Sequence, residues 1–164
     1  MKRPRFLLLI AAAAALVAVS CSEEKAKKAE APAKPSLSAK EGWLTSYEEA
    51  QQEAKSQRKL LLMDFTGSDW CGWCIMLDKE IFSKPEFKEY ASKNLVLLEL
   101  DFPRSKQMPP ETLAQNERLA MQYRVQGFPT VVVLDSNGKA IGTLGYIRGG
   151  PEAFIAQLEK LRKG

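Results

Sequence analysis

Cys71 and Cys74 stand three positions apart in the stretch Asp64 to Leu77, read DFTGSDWCGWCIML. The chemistry open to such a pair is thiol–disulfide exchange, whose nucleophile is the thiolate. A free cysteine, with a pKa of about 8.5, is mostly protonated at neutral pH. A helix start changes this balance, because its unpaired backbone N–H groups and roughly half a positive charge stabilise an anion. Cys71, nearest the start, gains most and is read as the nucleophile. Cys74 lies one helical turn on, at roughly 5–6 Å between Cβ atoms, near enough to close a disulfide, and is read as the resolving thiol. Two duller readings compete. A structural disulfide would close a tiny loop and constrain the unfolded chain little. A zinc site wants about four ligands, whereas the whole chain holds three cysteines and no histidine, so no metal is expected.

The pair needs a strand and a helix to hold it. Leu60 to Met63 and Phe65 form a short continuous apolar run, the pattern of a strand buried on both faces. Gly67, Ser68 and Asp69 make a turn, and the helix that opens at Cys71 continues through Asp78. Asp64 is the acid inside the strand. It is read either as a strand-end charge paired with Lys59 or Lys79, or as a carboxylate buried beneath the cysteines. In the second case desolvation raises its pKa and lets it take the Cys74 proton through water. Trp70 and Trp73 serve as packing or as a partner-docking rim.

The remaining elements follow in order. Ser46-Tyr47-Glu48-Glu49 has capping-box spacing and predicts a helix to about Gln57, and Ser83-Lys84-Pro85-Glu86 repeats the signal after a break near Phe82. Asn94 to Asp101 reads as a second buried strand, Pro103 to Pro110 as an irregular loop, and Glu111 to Tyr123 as a helix behind Pro110. Phe128 to Leu134 is a third buried strand. Asp135-Ser136-Asn137-Gly138 is a hairpin turn into an antiparallel strand from Lys139 to Tyr146. A last helix, Pro151 to Lys163, carries Phe154, Ile155, Leu158 and Leu161 on one face, with Gly149 and Gly150 as a joint before it. This order implies an α/β domain, a central mixed β-sheet flanked by helices.

At residues 43–163 the chain resembles the thioredoxin superfamily. Trp70-Cys71-Gly72-Trp73-Cys74 is similar to the family's WCxxC site, Asp64 to the acid of the preceding strand, and Gly127-Phe128-Pro129-Thr130 to its cis-proline segment. Gly-Trp replaces Gly-Pro between the cysteines, one extra residue separates Asp64 from Cys71, and Pro103 to Pro110 adds a loop. FTGSDWCGWC looks closer to the secreted branch, and it is similar to the thioredoxin-like domains of periplasmic reductase systems. The resemblance implies a thioredoxin-like fold and a thiol–disulfide oxidoreductase that needs no cofactor beyond its own dithiol. It implies protein or peptide thiols and disulfides as substrates, and a redox partner protein such as a membrane electron donor. It also implies a cis Pro129 beside Cys71, with backbone groups of Phe128 and Thr130 pairing with an extended substrate segment; the plainer reading is a proline at the start of a strand. A non-catalytic binding module and a redox-sensing subunit are the rival readings, and reduction is favoured over oxidation. Arg148, Arg104 and Lys106 read as solvated charges.

The start of the chain has a separate role. Lys2, Arg3 and Arg5 precede an apolar run of 14 residues, Phe6 to Val19, that is shorter than the roughly 20 residues of a transmembrane helix and reads as a secretion signal. Val17-Ala18-Val19-Ser20-Cys21 resembles the lipobox of bacterial lipoproteins, which makes Cys21 the lipidation site; a stray signal-peptide cysteine is the alternative. Residues 1–20 are thus the signal, 21–40 a lipidated cysteine and disordered tether rich in Ala, Lys, Glu and Pro, and 41–164 the folded domain. The expected location is exported and facing the periplasm on a membrane anchor, the outer membrane being favoured by Ser22. Setting aside the three cations of residues 1–20 leaves 21 Lys+Arg against 20 Asp+Glu, so the formal charge of +4 drops to +1. Nothing there seeks nucleic acid. A monomer is expected, and 164 residues with 45% hydrophobic and 27% charged content suit one core.

Overall fold

The computed structural model describes residues 40–164; the expectations for the signal, Cys21 and most of the tether lie outside them. Five strands form one sheet in the order β1-β3-β2-β4-β5. They are β1 (Trp43–Leu44), β2 (Leu60–Thr66), β3 (Leu95–Asp101), β4 (Thr130–Leu134) and β5 (Ala140–Leu144). The helices are α1 (Tyr47–Gln57), α2 (Gly72–Leu77), α3 (Pro85–Asn94), α4 (Pro110–Gln122) and α5 (Gly150–Lys163), with a π-helical segment, Asp78–Phe82, running on from α2. This is the mixed, helix-flanked thioredoxin-like architecture.

Central β2 is buried along its whole length, as its unbroken apolar run requires. It pairs in parallel with β3, Asp64 opposite Glu99, and antiparallel with β4, Asp64 opposite Val131. Alternation along the strands splits the core between the two faces. Leu61, Met63 and Phe65 pack with Ala50 and Ala54 of α1 and Leu119 of α4. Leu60 and Leu62 pack with Leu77, Ile81, Phe82, Phe87, Phe154 and Leu158. Phe82 centres the second layer, meeting Trp43, Phe87 and Phe154 at ring distances of 5.1, 4.9 and 5.6 Å. Full burial of such a ring stabilises the fold by about 2–3 kcal/mol.

Local signals performed unevenly. Ser46 caps α1, its Oγ accepting from the Glu49 N–H at 3.4 Å, as the spacing predicts. Ser83 does not cap α3: the N-cap is Lys84, with Pro85 next, while the Ser83 hydroxyl donates to the Lys79 carbonyl. Proline's fixed φ starts that helix without a side-chain cap. Gly138 takes φ +86 in the turn between β4 and β5, where its N–H donates to the Asp135 carbonyl. The two-residue edge strand β1, parallel to β3, had no sequence signature.

Candidate active site

The loop from β2 sets Cys71 at the N-cap of α2. Its backbone is extended, φ −87 and ψ 101, and its N–H donates to the Gly67 carbonyl at 2.9 Å. Its sulfur accepts the Cys74 N–H at 3.2 Å, and its carbonyl accepts the Ile75 N–H at 3.0 Å. No acid stands in the first turn of α2. A backbone donor on the Cys71 sulfur and the helix dipole behind it both favour negative charge there once the disulfide opens. Here the two sulfurs are bonded to each other across a Cα separation of 5.2 Å. Both cysteines are buried, whereas Gly72 and Trp73 between them are exposed.

Phe102 and Phe128 hold Trp70. Its indole N–H donates to the Phe102 carbonyl at 2.8 Å, its ring meets Phe128 edge-on at 5.9 Å, and Phe128 stacks on Phe102 at 5.0 Å. This assembly joins the cysteine turn to the segment before β4, where the Phe128–Pro129 peptide is cis and the Thr130 hydroxyl donates to the Gly127 carbonyl at 2.7 Å. The β4–β5 ladder begins at Val131 and leaves out Thr130. Trp73 points elsewhere, towards Tyr146 at 5.4 Å, and is more than half exposed. The two tryptophans thus flank the disulfide on different sides.

Arg104 is exposed, as a solvated charge is, but it also rests on an aromatic ring. Its guanidinium lies 3.7 Å from the centre of the Trp70 ring, a cation–π contact. The loop carrying it is tied back by Asp69, whose carboxylate accepts the Arg104 N–H at 3.0 Å, the Ser105 N–H at 2.7 Å and the Ser105 hydroxyl. The Ser105 hydroxyl, then those two N–H groups, hold the Asp69 carboxyl down at about 2. Asp101 makes a matching clamp, accepting the Ser68 N–H at 2.8 Å and its hydroxyl at 2.6 Å.

Asp64 is 2% exposed, and its Oδ1 has no hydrogen-bond partner. Neither Lys59 nor Lys79 is its counter-ion. Lys59 donates instead to the Ser92 carbonyl. The cation is Lys40, assigned from sequence to the end of the tether, whose Nζ lies 3.5 Å from Asp64 Oδ2 and 3.2 Å from both Glu99 Oε1 and Asp78 Oδ1. Desolvation pushes the Asp64 carboxyl up to about 7, with Glu99 and Asp78 adding repulsion and Lys40 opposing. For Lys40 itself burial pulls the pKa down, but the three acids outweigh it and the net shift is upward. Asp78 is four residues beyond Cys74 on the same helical face, and its N–H donates to the Cys74 carbonyl. The acid cluster therefore reaches the helix one turn beyond Cys74. Among the described residues no group of histidine, cysteine or acidic side chains could hold a metal ion.

Lys40 and Glu99 were not singled out from sequence. Glu99 had a signal: it stands on the same strand face as Leu95 and Leu97, both packed in the core, and aligned with Asp64 if the two strands run parallel. Lys40 had none, since it closes a low-complexity stretch.

Comparison with known proteins agrees with this geometry. Residues 47–162 match the thioredoxin-like domain family. The chain is 38% identical over 118 residues to the disulfide bond reductase DsbH of Chlamydia pneumoniae, covering 72% of this chain and 71% of that one. It is 28% identical over 103 residues to the thioredoxin-related protein DsbJ of the same organism, covering 63% of this chain but 30% of the relative. Among solved structures, the DsbH oxidoreductase superposes with a TM-score of 0.71 at 36% identity, covering 81% of this chain and 92% of that one. A thioredoxin from Thermus thermophilus, at 20% identity and a TM-score of 0.54, shares the fold. With its cysteines bonded at a helix start and a reductase related along most of its length, the chain belongs to the thioredoxin-like family and is a thiol–disulfide oxidoreductase.

Proposed function

We propose that this protein is an exported, membrane-tethered protein disulfide reductase. The observation that carries the reading is the Cys71–Cys74 bond at the start of α2, with the Cys74 N–H on the Cys71 sulfur. The reductive direction is supported by the 38% identical relative named a disulfide bond reductase. In the reduced enzyme the Cys71 thiolate attacks one sulfur of a substrate disulfide. An S–S bond forms to Cys71, the substrate S–S bond breaks, and the departing thiolate takes a proton. Cys74, deprotonated towards Asp64, then attacks the Cys71 sulfur; the second substrate thiol leaves and the Cys71–Cys74 disulfide forms. Two electrons and two protons pass to the substrate.

Phe128, Pro129 and Thr130 receive an extended substrate segment by backbone pairing, and Trp70 and Trp73 form an aromatic rim around the cysteines. The dithiol is the only redox group required. A redox partner protein, membrane-bound if the domain faces a periplasm, restores it with two electrons. Cys21 carries the lipid, residues 22–39 the spacer, and the location is a periplasm-facing membrane surface, the outer one where the cell has two. The domain acts as a monomer. No helix among the described residues is long and apolar enough to cross a membrane.

A reduction assay tests this reading. Pre-reduced protein should reduce insulin or a peptide disulfide, losing one dithiol per disulfide opened, and its Cys71/Cys74 pair should be found reduced in cells. Absence of turnover would favour a binding module or sensor, and a pair kept oxidised in cells would reverse the direction.

A further inference from the structure

Two carboxylates, Asp64 and Glu99, are placed side by side under the active-site helix by the parallel register of β2 and β3, both at least nine-tenths buried. Each lies within 3.5 Å of the same ammonium, that of Lys40. Lys40 reaches them from outside the sheet, passing 4.8 Å from the centre of the Trp43 ring and 5.8 Å from that of Phe82. It also bonds Asp78, on the helix segment that follows Cys74. The cluster thus gathers one charged group from each element that meets there: Asp64 from β2, Glu99 from β3, Asp78 from the helix and Lys40 from the segment before β1. Lys40 stands seven positions before Tyr47, where the family match begins.

Charge counting gives the arrangement a function. With Asp78 facing solvent, the buried set holds one cation and two acids. It is neutral when Asp64 and Glu99 share one proton and carries a net charge of −1 when both are ionised. A proton arriving from Cys74 takes the set from the second state to the first. Without the ammonium the same transfer would begin from two buried, uncompensated carboxylates, a state that is strongly disfavoured.

We propose that Lys40 is a positioning residue for the resolving step, its ammonium favouring the ionised Asp64 carboxylate so that it can accept the Cys74 proton. The inference rests on the assignment of Asp64 as that acceptor. It deepens the proposed reaction by making the residue that joins the tether to the domain part of the machinery. Lys40 stays protonated throughout the working range, since the surrounding acids hold its pKa above the ordinary lysine value.

Reduced full-length protein treated with a chromogenic aryl disulfide isolates the step. Attack by Cys71 releases the first aryl thiol, and attack by Cys74 on the mixed disulfide releases the second. The rate of the second release, followed from about pH 5 to about pH 9, reads the proton acceptor. Lys40→Met should move its midpoint up by about one to three pH units, the range for loss of an adjacent opposite charge, and slow release at neutral pH about fivefold or more. Lys40→Arg should return the midpoint towards that of the unsubstituted protein. Glu99→Gln, which removes a repelling carboxylate, should move it down. An unchanged midpoint in Lys40→Met overturns the proposal; should that variant not fold, an unchanged midpoint in Glu99→Gln does so. A purely structural Lys40 would lower stability without moving the midpoint. Failure of the unsubstituted protein to release any second thiol would instead overturn the roles given to Cys71 and Cys74.

Discussion

Replacing Asp64 by asparagine is expected to stabilise the oxidised protein, and to do so only away from acid. The carboxyl is 2% exposed, and burial lifts its pKa from 3.8 to about 7. Between those values the folded chain binds a proton that the unfolded chain has released. The group's contribution to stability is therefore fully present below about pH 4 and is lost as pH rises towards 7. A gap of about three pKa units at about 1.4 kcal/mol each places the ionised form on the order of 4 kcal/mol above the protonated one. Asparagine keeps the shape and cannot ionise. Urea unfolding of both oxidised proteins at matched pH values should give nearly equal stability at about pH 4. The variant should then gain by about 1.4 kcal/mol per pH unit and level off above about pH 7. A difference independent of pH, or a variant weaker at about pH 8, would refute the assignment of a desolvated, proton-holding Asp64. The same variant should resolve mixed disulfides slowly, so stability and turnover should move in opposite directions.

Other perturbations read different parts of the structure. A Cβ at Gly67 would fall 2.5 Å from the Trp70 ring, so Gly67→Ala should displace that ring from Phe102, lower stability by about 1–3 kcal/mol and change tryptophan fluorescence; an unaltered urea midpoint would contradict the packing described. Asp69→Ala removes the acceptor of the Arg104 and Ser105 donors, and trypsin should then cleave after Arg104 and Lys106 faster than in the unsubstituted protein, an equal rate arguing that the clamp holds nothing. Cys21→Ser should leave the protein unlipidated and release it from the membrane fraction, and normal membrane partitioning would sink the anchor.

What could be read from sequence divides by the range of the interactions. β2 announces itself because a strand covered on both faces must be continuously apolar, and the Cys71 helix because the turn at Gly67 to Asp69 breaks the strand just before it. Pro110 and Pro151 marked helix starts through the fixed φ of proline, and the same device overrode the cap expected at Ser83, since Pro85 sits at the first helical position. Asp64 was legible as an anomaly, an acid inside an apolar run, but its counter-ion was not. Lys59 and Lys79 are near in sequence, whereas Lys40 arrives through the tertiary fold from a stretch with no periodicity. β1 escaped for a similar reason: two residues carry no alternation, and only pairing with β3 makes them a strand. Arg104 is the exposed charge its sequence suggested, and only its contact with Trp70, which the loop creates, was not legible.

The central claim is that Cys71 attacks and Cys74 resolves, and trapping measures it most directly. With Cys74→Ser the mixed disulfide on Cys71 has no internal thiol to release it, so exported partners should accumulate as covalent adducts on non-reducing gels and disappear on reduction. Cys71→Ser should trap few, because the remaining thiol lacks the helix-start position. Equal trapping by the two variants, or no trapping by either while the unsubstituted protein turns over, would contradict the account.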